Sequence, residues 1–295
     1  MALTPPAATQ RPAKPGHPGR TIAWAVISLL VVAAFWSAKI NWSALSDFPA
    51  ETGKYLGLLF LPPDWSKLDE ALSAMLLSVQ MAWIGTLIGI VVSFPLGFLA
   101  TAGISAGWLA WPLRGLFALI RAVPEVVIAI LILSVTGLTP FTGALALGIG
   151  SIGTLGKWGY ESFEAVDQGP LEAVRSAGGS RLDLMRWGIW PSAQAEVFSF
   201  WLYRFEINVR ASAILGLIGA GGIGKMLQDN VQFRNWDAVG MLLIVVIVVT
   251  IVIDQLSGLL RQRIVHGRWS GNRAGRRTGD PGKPEMSEPA GRMAL

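Results

Sequence analysis

Residues 236–260 form an apolar run, and within it residues 241–253 carry no charge at all. That feature constrains the fold more than any other in the chain. About 20 apolar residues in a helix match the roughly 30 Å hydrocarbon core of a bilayer. A helix also satisfies its own backbone donors and acceptors, as lipid requires. Similar runs recur at 21–38, 73–100, 113–137, 141–160 and 192–218. The pattern predicts an all-α fold, a polytopic membrane helix bundle of about six transmembrane helices. Only 15% of the residues are charged, against roughly 25% in soluble domains.

The remaining segments are polar. Residues 1–20 hold five prolines with Arg11, Lys14 and Arg20, and read as a disordered basic cytoplasmic tail. The run 21–38 reads as a retained first helix, about 27 Å long at 1.5 Å per residue. A secretory signal is the rival reading, but its apolar region spans only about 7–15 residues. Segment 39–70 carries three lysines against Asp47, Glu51, Asp64, Asp69 and Glu70. Residues 71–262 hold the other five spans, with charged interior segment 161–191. Residues 263–295 are basic, rich in Gly and Pro, and read as a second disordered tail.

Six spans put both termini on one side, and the positive-inside rule puts the basic tails in the cytoplasm. Segment 39–70 is then periplasmic, 161–191 cytoplasmic and 219–235 outside. Many of the 13 tryptophans, among them Trp36, Trp42, Trp108, Trp111 and Trp236, fall at run ends, where an interfacial belt puts them. Gly85, Gly89, Gly148 and Gly153 allow close helix approach.

Several function classes drop out. The chain has no cysteine, so disulfides and thiolate metal sites are impossible. His17 and His266 both sit in polar tails, which removes a His metal site or a Ser-His-Asp triad from the spans. No catalytic site, metal site or cofactor site is expected on this chain. The net charge of +5 comes from the tails, so no nucleic acid is expected as a partner. Gly219, Gly221 and Gly224 match G-x-G-x-x-G, but that fingerprint needs a preceding soluble strand. Gly219 to Lys225 also matches G-x-x-x-x-G-K, but Met226 stands where a P-loop needs Ser or Thr. The expected form is a flexible or close-packed loop at a span end.

Segment 161–191 carries a denser pattern. Pro170 and Glu172 suit the first turn of a short helix. Gly178-Gly179 can end it, and 180–190 reads as a second short helix stopped by Pro191. A helix, Gly-Gly, helix elbow thus faces the cytoplasm. Interhelical loops of about 30 residues are uncommon without a function.

Glu172-Ala173-Val174, then Gly178, then Ile189-Trp190-Pro191 resembles the EAA motif of ABC importer permeases. The family pattern is E-A-A, three residues, G, nine residues, I-x-L-P. Here Val174 replaces the second Ala, Gly188 stands at the Ile position with Ile189 one place later, and Trp190 replaces Leu. The resemblance extends over roughly 70–262. Arg121-Ala-Val-Pro-Glu125, Leu155-Gly-Lys157 with Glu161, and Asn208-Val-Arg210 leading into 215–224 are similar to the phosphonate-uptake branch. The glycine-rich stretch is shared with methionine-type permeases. The resemblance implies a methionine-permease-like core and a cytoplasmic coupling helix around Glu172, Ala173, Gly178, Gly179 and Pro191. It implies a homodimer in the bacterial inner membrane, an extracellular or periplasmic substrate-binding protein, and ABC ATPase subunits holding ATP and Mg. An ABC permease for methionine or phosphite is the nearest alternative. An ATP-independent channel or carrier, or a membrane enzyme, stands further off.

Arg121, Glu125, Lys157, Arg204, Glu206 and Arg210 lie within or beside predicted spans, where ionisable groups face a cavity or one another. Arg121 and Glu125, and Glu206 and Arg210, are each spaced i,i+4 on one helix face. One reading is internal pairing that locks the bundle. The other is a cationic path for an anion, with Asn208 beside it, since the arginine fork matches phosphonate or phosphate oxygens.

Overall fold

The computed structural model describes residues 18–38, 42–60 and 62–266. Most of the tails expected at 1–20 and 263–295 lies outside the described residues, as do 39–41 and 61. The described residues contain helices and no strand. Helix α1 (Pro18–Ser37) covers the first apolar run, and α2 (Trp42–Phe60) follows. One compact unit ends at Gly57 and the other begins at Leu58.

Segment 39–70 is more helical than its polarity suggests. Phe48, Tyr55, Leu56 and Leu59 recur at helical spacing and support α2. A short turn, Trp65–Lys67, then leads into α3 (Leu68–Ala100); Asp64 caps it, accepting from the Ser66 N–H at 2.9 Å.

Pro124 divides the third apolar run. A residue before proline avoids the helical region, and Val123 is extended at φ −92°, ψ 123°. Helix α4 (Gly107–Ala122) therefore stops, and α5 (Glu125–Thr136) departs at 88°. Helix α6 (Pro140–Glu164) starts with Thr139 as N-cap and Pro140 in its first turn.

Among the described residues two helices, Trp65–Ala100 and Trp236–Ile264, are long and apolar enough to cross a membrane unaided. The bent pairs Gly107–Ala122 with Glu125–Thr136, and Arg181–Ala220 with Gly222–Gln232, raise the number to four. The count of six is not reached on that basis. Helix α6 falls short because about half of it is Gly, Ala, Ser and Thr, and it sits among α3, α4, α5 and the later helix α9 (Trp190–Leu215) rather than facing lipid all round.

The α3–α6 contact is the most extensive in the bundle. A Cβ on Gly89 would lie 2.4 Å from the Ser151 Cβ, and one on Gly85 would lie 2.7 Å from the Leu147 Cβ. Around this pair lie three apolar clusters. Ala71, Met75, Val209, Ile223, Met241 and Leu242 form the first. Ile128, Ala129, Ala146, Leu147 and Leu215 form the second. The third underlies the elbow.

The elbow itself departs from expectation at its second limb. Helix α7 (Gln168–Ser176) ends just before Gly178-Gly179, as expected. Helix α8 (Arg181–Asp183) then continues through a π segment, Leu184–Ile189, straight into α9 (Trp190–Leu215). Pro191 does not stop this helix. It falls directly after the π segment, and the helix runs on through it.

Segment 219–235 is likewise no loop. A π turn, Gly216–Ala220, breaks at Gly221 (φ 94°), and α10 (Gly222–Gln232) folds back at 56°. A Cβ on Gly224 would fall 1.9 Å from the Ala213 carbonyl oxygen, so only glycine allows that return. Helix α11 (Trp236–His266) closes the bundle against α9 and α10.

Gly89→Ala is expected to lower the thermal midpoint of the detergent-solubilised protein, by overpacking worth about 1–3 kcal/mol. Gly115→Ala, on a glycine with nothing within 4 Å, should instead stabilise by about 0.5–1 kcal/mol through helix propensity. Equal shifts in the two melting curves would contradict the close-packing account.

Candidate functional site

Helix α9 carries polar residues on two opposed faces. Arg204 and Asn208 are one turn apart and face α3, α5 and α6. Arg204 is buried to 5% exposure. Its Nε donates to the Ser151 Oγ at 2.9 Å, and its Nη2 pairs with the Glu125 carboxylate. Asn208 is fully buried, and its Nδ2 donates to the Thr86 Oγ1 at 2.8 Å and to the Ser151 Oγ at 3.0 Å. Among the described residues its Oδ1 has no partner. Four helices thus meet at one polar layer halfway along the bundle.

Glu206 and Arg210 point the other way, to α11. Arg261 donates to Glu206 at 2.8 Å and lies over the Tyr203 ring at 5.9 Å from its centroid. Arg210 meets Asp254 at 3.9 Å. Successive residues in an α-helix turn by about 100°, so 204 and 206 cannot share a face. The two sets form separate layers within one chain.

The i,i+4 pairs read from the sequence are therefore corrected. Arg121 and Glu125 sit on different helices, because the Pro124 break comes between them. Glu206 and Arg210 each find a partner on α11, because antiparallel packing offers better geometry than their own helix. Lys157 does pair within its helix, with Glu161 at 3.3 Å.

The break at Pro124 opens a cleft of about 260 Å³, lined by Ile120, Arg121, Val123, Pro124, Glu125, Gly150 and Thr154. The Arg121 stem lies on α6, where a Cβ on Gly153 would come 3.1 Å from its Cγ. Among the described residues no carboxylate pairs with Arg121. The Glu125 side chain packs on Gly150, 2.8 Å from where a Cβ would stand. Gly150, Thr154, Lys157 and Glu161 fall at i, i+4, i+7 and i+11, a single stripe of α6 running from the cleft to the elbow.

The elbow is held by local chemistry. Gly179 N–H donates to the Val174 carbonyl at 3.0 Å and Gly178 N–H to that of Arg175 at 2.9 Å. That pattern is a Schellman motif, and Gly178 takes its left-handed position at φ 75°. Ser180 and Asp183 form a capping box, with Ser180 N–H donating to Asp183 Oδ2 at 2.8 Å. The Ser180 hydroxyl, then its N–H, hold the Asp183 carboxyl below the usual carboxylate range; it lies outside the apolar run 192–218.

Glu172, Ala173, Gly178 and Pro191 are exposed, and Gly179 is half-buried. Leu171, Leu184 and Ile189 are buried beneath them with Phe163 and Ile104. The π segment explains why Ile comes one place late. Its extra residue per turn brings Ile189 into the core, while Gly188 leaves room for Leu171, 3.0 Å from where a Cβ would be.

At the root of the elbow is a latch that sequence reading missed. Arg114 pairs with Glu164, donates to the Ala100 carbonyl at 2.8 Å, and covers the Tyr160 ring at 4.5 Å. Glu164 also accepts from the Ala102 N–H at 2.6 Å. Ser151, Thr86, Asp254 and Arg261 were missed as well. Ser151 had one available signal, a hydroxyl among the glycines of an otherwise featureless helix.

The family profile "binding-protein-dependent transport system inner membrane component" matches residues 93–266. The chain is 38% identical over 238 residues to the phosphate-import permease protein PhnE of Mycolicibacterium smegmatis, covering 79% of this chain. It spans only 44% of that relative's length. It is 33% identical to the putative phosphite transport system permease protein HtxC of Stutzerimonas stutzeri, over 83% of this chain and 87% of the relative. Among solved structures, an inward-facing MetNI methionine ABC transporter aligns with TM-score 0.58 and 17% identity, over 64% of this chain and 93% of that one. At that identity the likeness concerns the fold alone.

Arg204→Gln is expected to destabilise the protein by up to about 3 kcal/mol, since it leaves Glu125 without its cation. The double variant Arg204→Gln with Glu125→Gln should recover much of that loss. Thermal melting in detergent reads both. A double variant no more stable than the single would refute the pairing.

Proposed function

The chain belongs to the family of binding-protein-dependent transport system inner membrane components, and from that premise we propose that it is the permease of an ATP-driven importer for phosphonate or a related small oxyanion. The observation that carries the substrate class is the 38% and 33% identity to permeases named for phosphate import and phosphite transport. The cleft supports it, because Arg121, which has no carboxylate partner among the described residues, is a cation of the geometry oxyanions prefer. Phosphate and phosphite are the first alternatives to phosphonate.

In this reading two copies pair in a bacterial inner membrane with both termini in the cytoplasm. Separate ATPase subunits hold ATP and Mg, and a substrate-binding protein delivers the anion outside. Closure of the ATPase pair pushes on the elbow. Glu172, Ala173 and Gly178 form its contact surface, Gly179 seats its first limb on the second, and Pro191 lies on the helix that carries the motion inward. The Schellman and capping-box bonds make the elbow stiff enough to act as a lever. Helices α6 and α9 both run from the elbow to the Arg204 layer, so a movement at one end reorients the other. ATP and substrate bias the outward and inward states.

The candidate path is the α5–α6 side of the chain: Arg121, Glu125, Lys157, Arg204 and Asn208. Glu206 and Arg210 hold α9 to α11 instead.

Two measurements test this reading. Deleting the chain should abolish cellular uptake of at least one of phosphate, phosphite and methylphosphonate; unchanged uptake of all three would end the oxyanion assignment. Gly178→Trp should insert normally and lose uptake, whereas Gly178→Asn, which tolerates positive φ, should retain most of it. A Cβ on Gly178 meets nothing within 4 Å inside the chain. A transport-competent Trp variant would therefore argue that nothing docks on the elbow.

A further inference from the structure

Arginine is a permanent cation in proteins, and Arg204 is a buried one. At 5% exposure it also requires an anion in every state. Glu125 supplies that anion now, yet Glu125 is not enclosed as Arg204 is. Its side chain is 25% exposed and lines the cleft. The same cleft holds Arg121, a cation without a carboxylate partner among the described residues. The Ser151 hydroxyl on Arg204 is neutral and stays compatible with any anion there.

Carboxylates and phosphate-type oxyanions meet a guanidinium through the same paired N–H to oxygen geometry. Glu125 is also the first residue of α5, directly after the 88° bend at Pro124. A change in that bend moves its carboxylate relative to Arg204 while leaving the α6 and α9 partners in place. The second charged layer offers nothing comparable, because Arg210 and Arg261 there are matched by Asp254 and Glu206.

We propose that Glu125 is a resident counter-anion, which occupies the Arg204 fork between transport events and is exchanged for the incoming oxyanion, with Arg121 receiving that anion at the cleft. The inference rests on the oxyanion-permease reading and adds to it the site and the means of release. Return of Glu125 to Arg204 displaces the bound anion, so the fork is never left empty and the substrate is never held irreversibly.

The chain has no cysteine, so Thr154→Cys places a sole thiol on the cleft wall. In native membranes, an anionic methanethiosulfonate reagent should label it. Phosphate, phosphite or methylphosphonate, whichever the chain transports, should slow that labelling several-fold, and chloride at equal ionic strength should not. Adding Glu125→Gln should speed anionic labelling by about threefold, the size expected for removing one partly screened charge, and should leave a cationic reagent slower. In uptake assays Glu125→Gln should lower KM and Vmax together, because the anion binds without its competitor. Arg121→Gln should raise KM.

An unchanged KM and unchanged labelling in Glu125→Gln would overturn the proposal. Should that variant fail to insert, substrate protection of the thiol in Thr154→Cys alone decides, and its absence overturns the proposal too. Loss of protection with uptake intact sinks only this inference. Absence of any chain-dependent oxyanion uptake sinks the functional reading, and the inference with it.

Discussion

A guanidinium buried halfway along a membrane bundle dictates much of what surrounds it. Arg204 is almost wholly cut off from water, so its neighbours must supply charge and hydrogen bonds. Glu125 comes from α5 and Ser151 from α6, and Asn208 extends the same layer to Thr86 on α3. Each of those groups is short, so the helices that carry them must come close. Gly85 and Gly89 on α3, facing Leu147 and Ser151 on α6, are the residues that permit the approach. The tight α3–α6 packing and the polar layer are thus one requirement seen twice.

The break at Pro124 follows from the same layer. A straight helix through 113–137 would keep Glu125 beside Arg121 on one face. The extended Val123 and the 88° turn separate them, so that Glu125 faces Arg204 and Arg121 lines the cleft. The bend is therefore what makes the cleft asymmetric: a satisfied ion pair on one side, and on the other a cation with no carboxylate among the described residues. At the elbow end the Arg114–Glu164 latch ties the end of α3, the middle of α4 and the end of α6 together. If the elbow is the lever proposed above, this latch is its fulcrum.

Some of this was readable from local pattern. The runs 73–100 and 236–260 marked helices long and apolar enough to cross a membrane, Pro124 marked a break, and Gly178-Gly179 marked the end of α7, because each reflects a restriction on a few consecutive residues. Patterns that depend on what lies opposite were misread. Pro191 looked like a stop, but the helix runs through it from the π segment into α9. Residues 219–235 looked like a loop, but close approach at Gly224 lets α10 form against α9. The run 141–160 read as a span, but α6 is not apolar enough to cross a membrane unaided, and it packs among other helices.

By itself the sequence determined that this chain lives in a membrane, that its charges sit where lipid forbids them to stay single, and that an elbow interrupts the spans. Those conclusions rest on transfer energies and backbone stereochemistry, which act over a turn or two of chain. Which charge meets which was decided only by tertiary structure. Glu125 lies 79 residues from Arg204, and Glu206 lies 55 from Arg261. An ion pair depends on distance in space, and two residues spaced i,i+4 lose to a distant partner whenever packing brings that partner closer at a better angle.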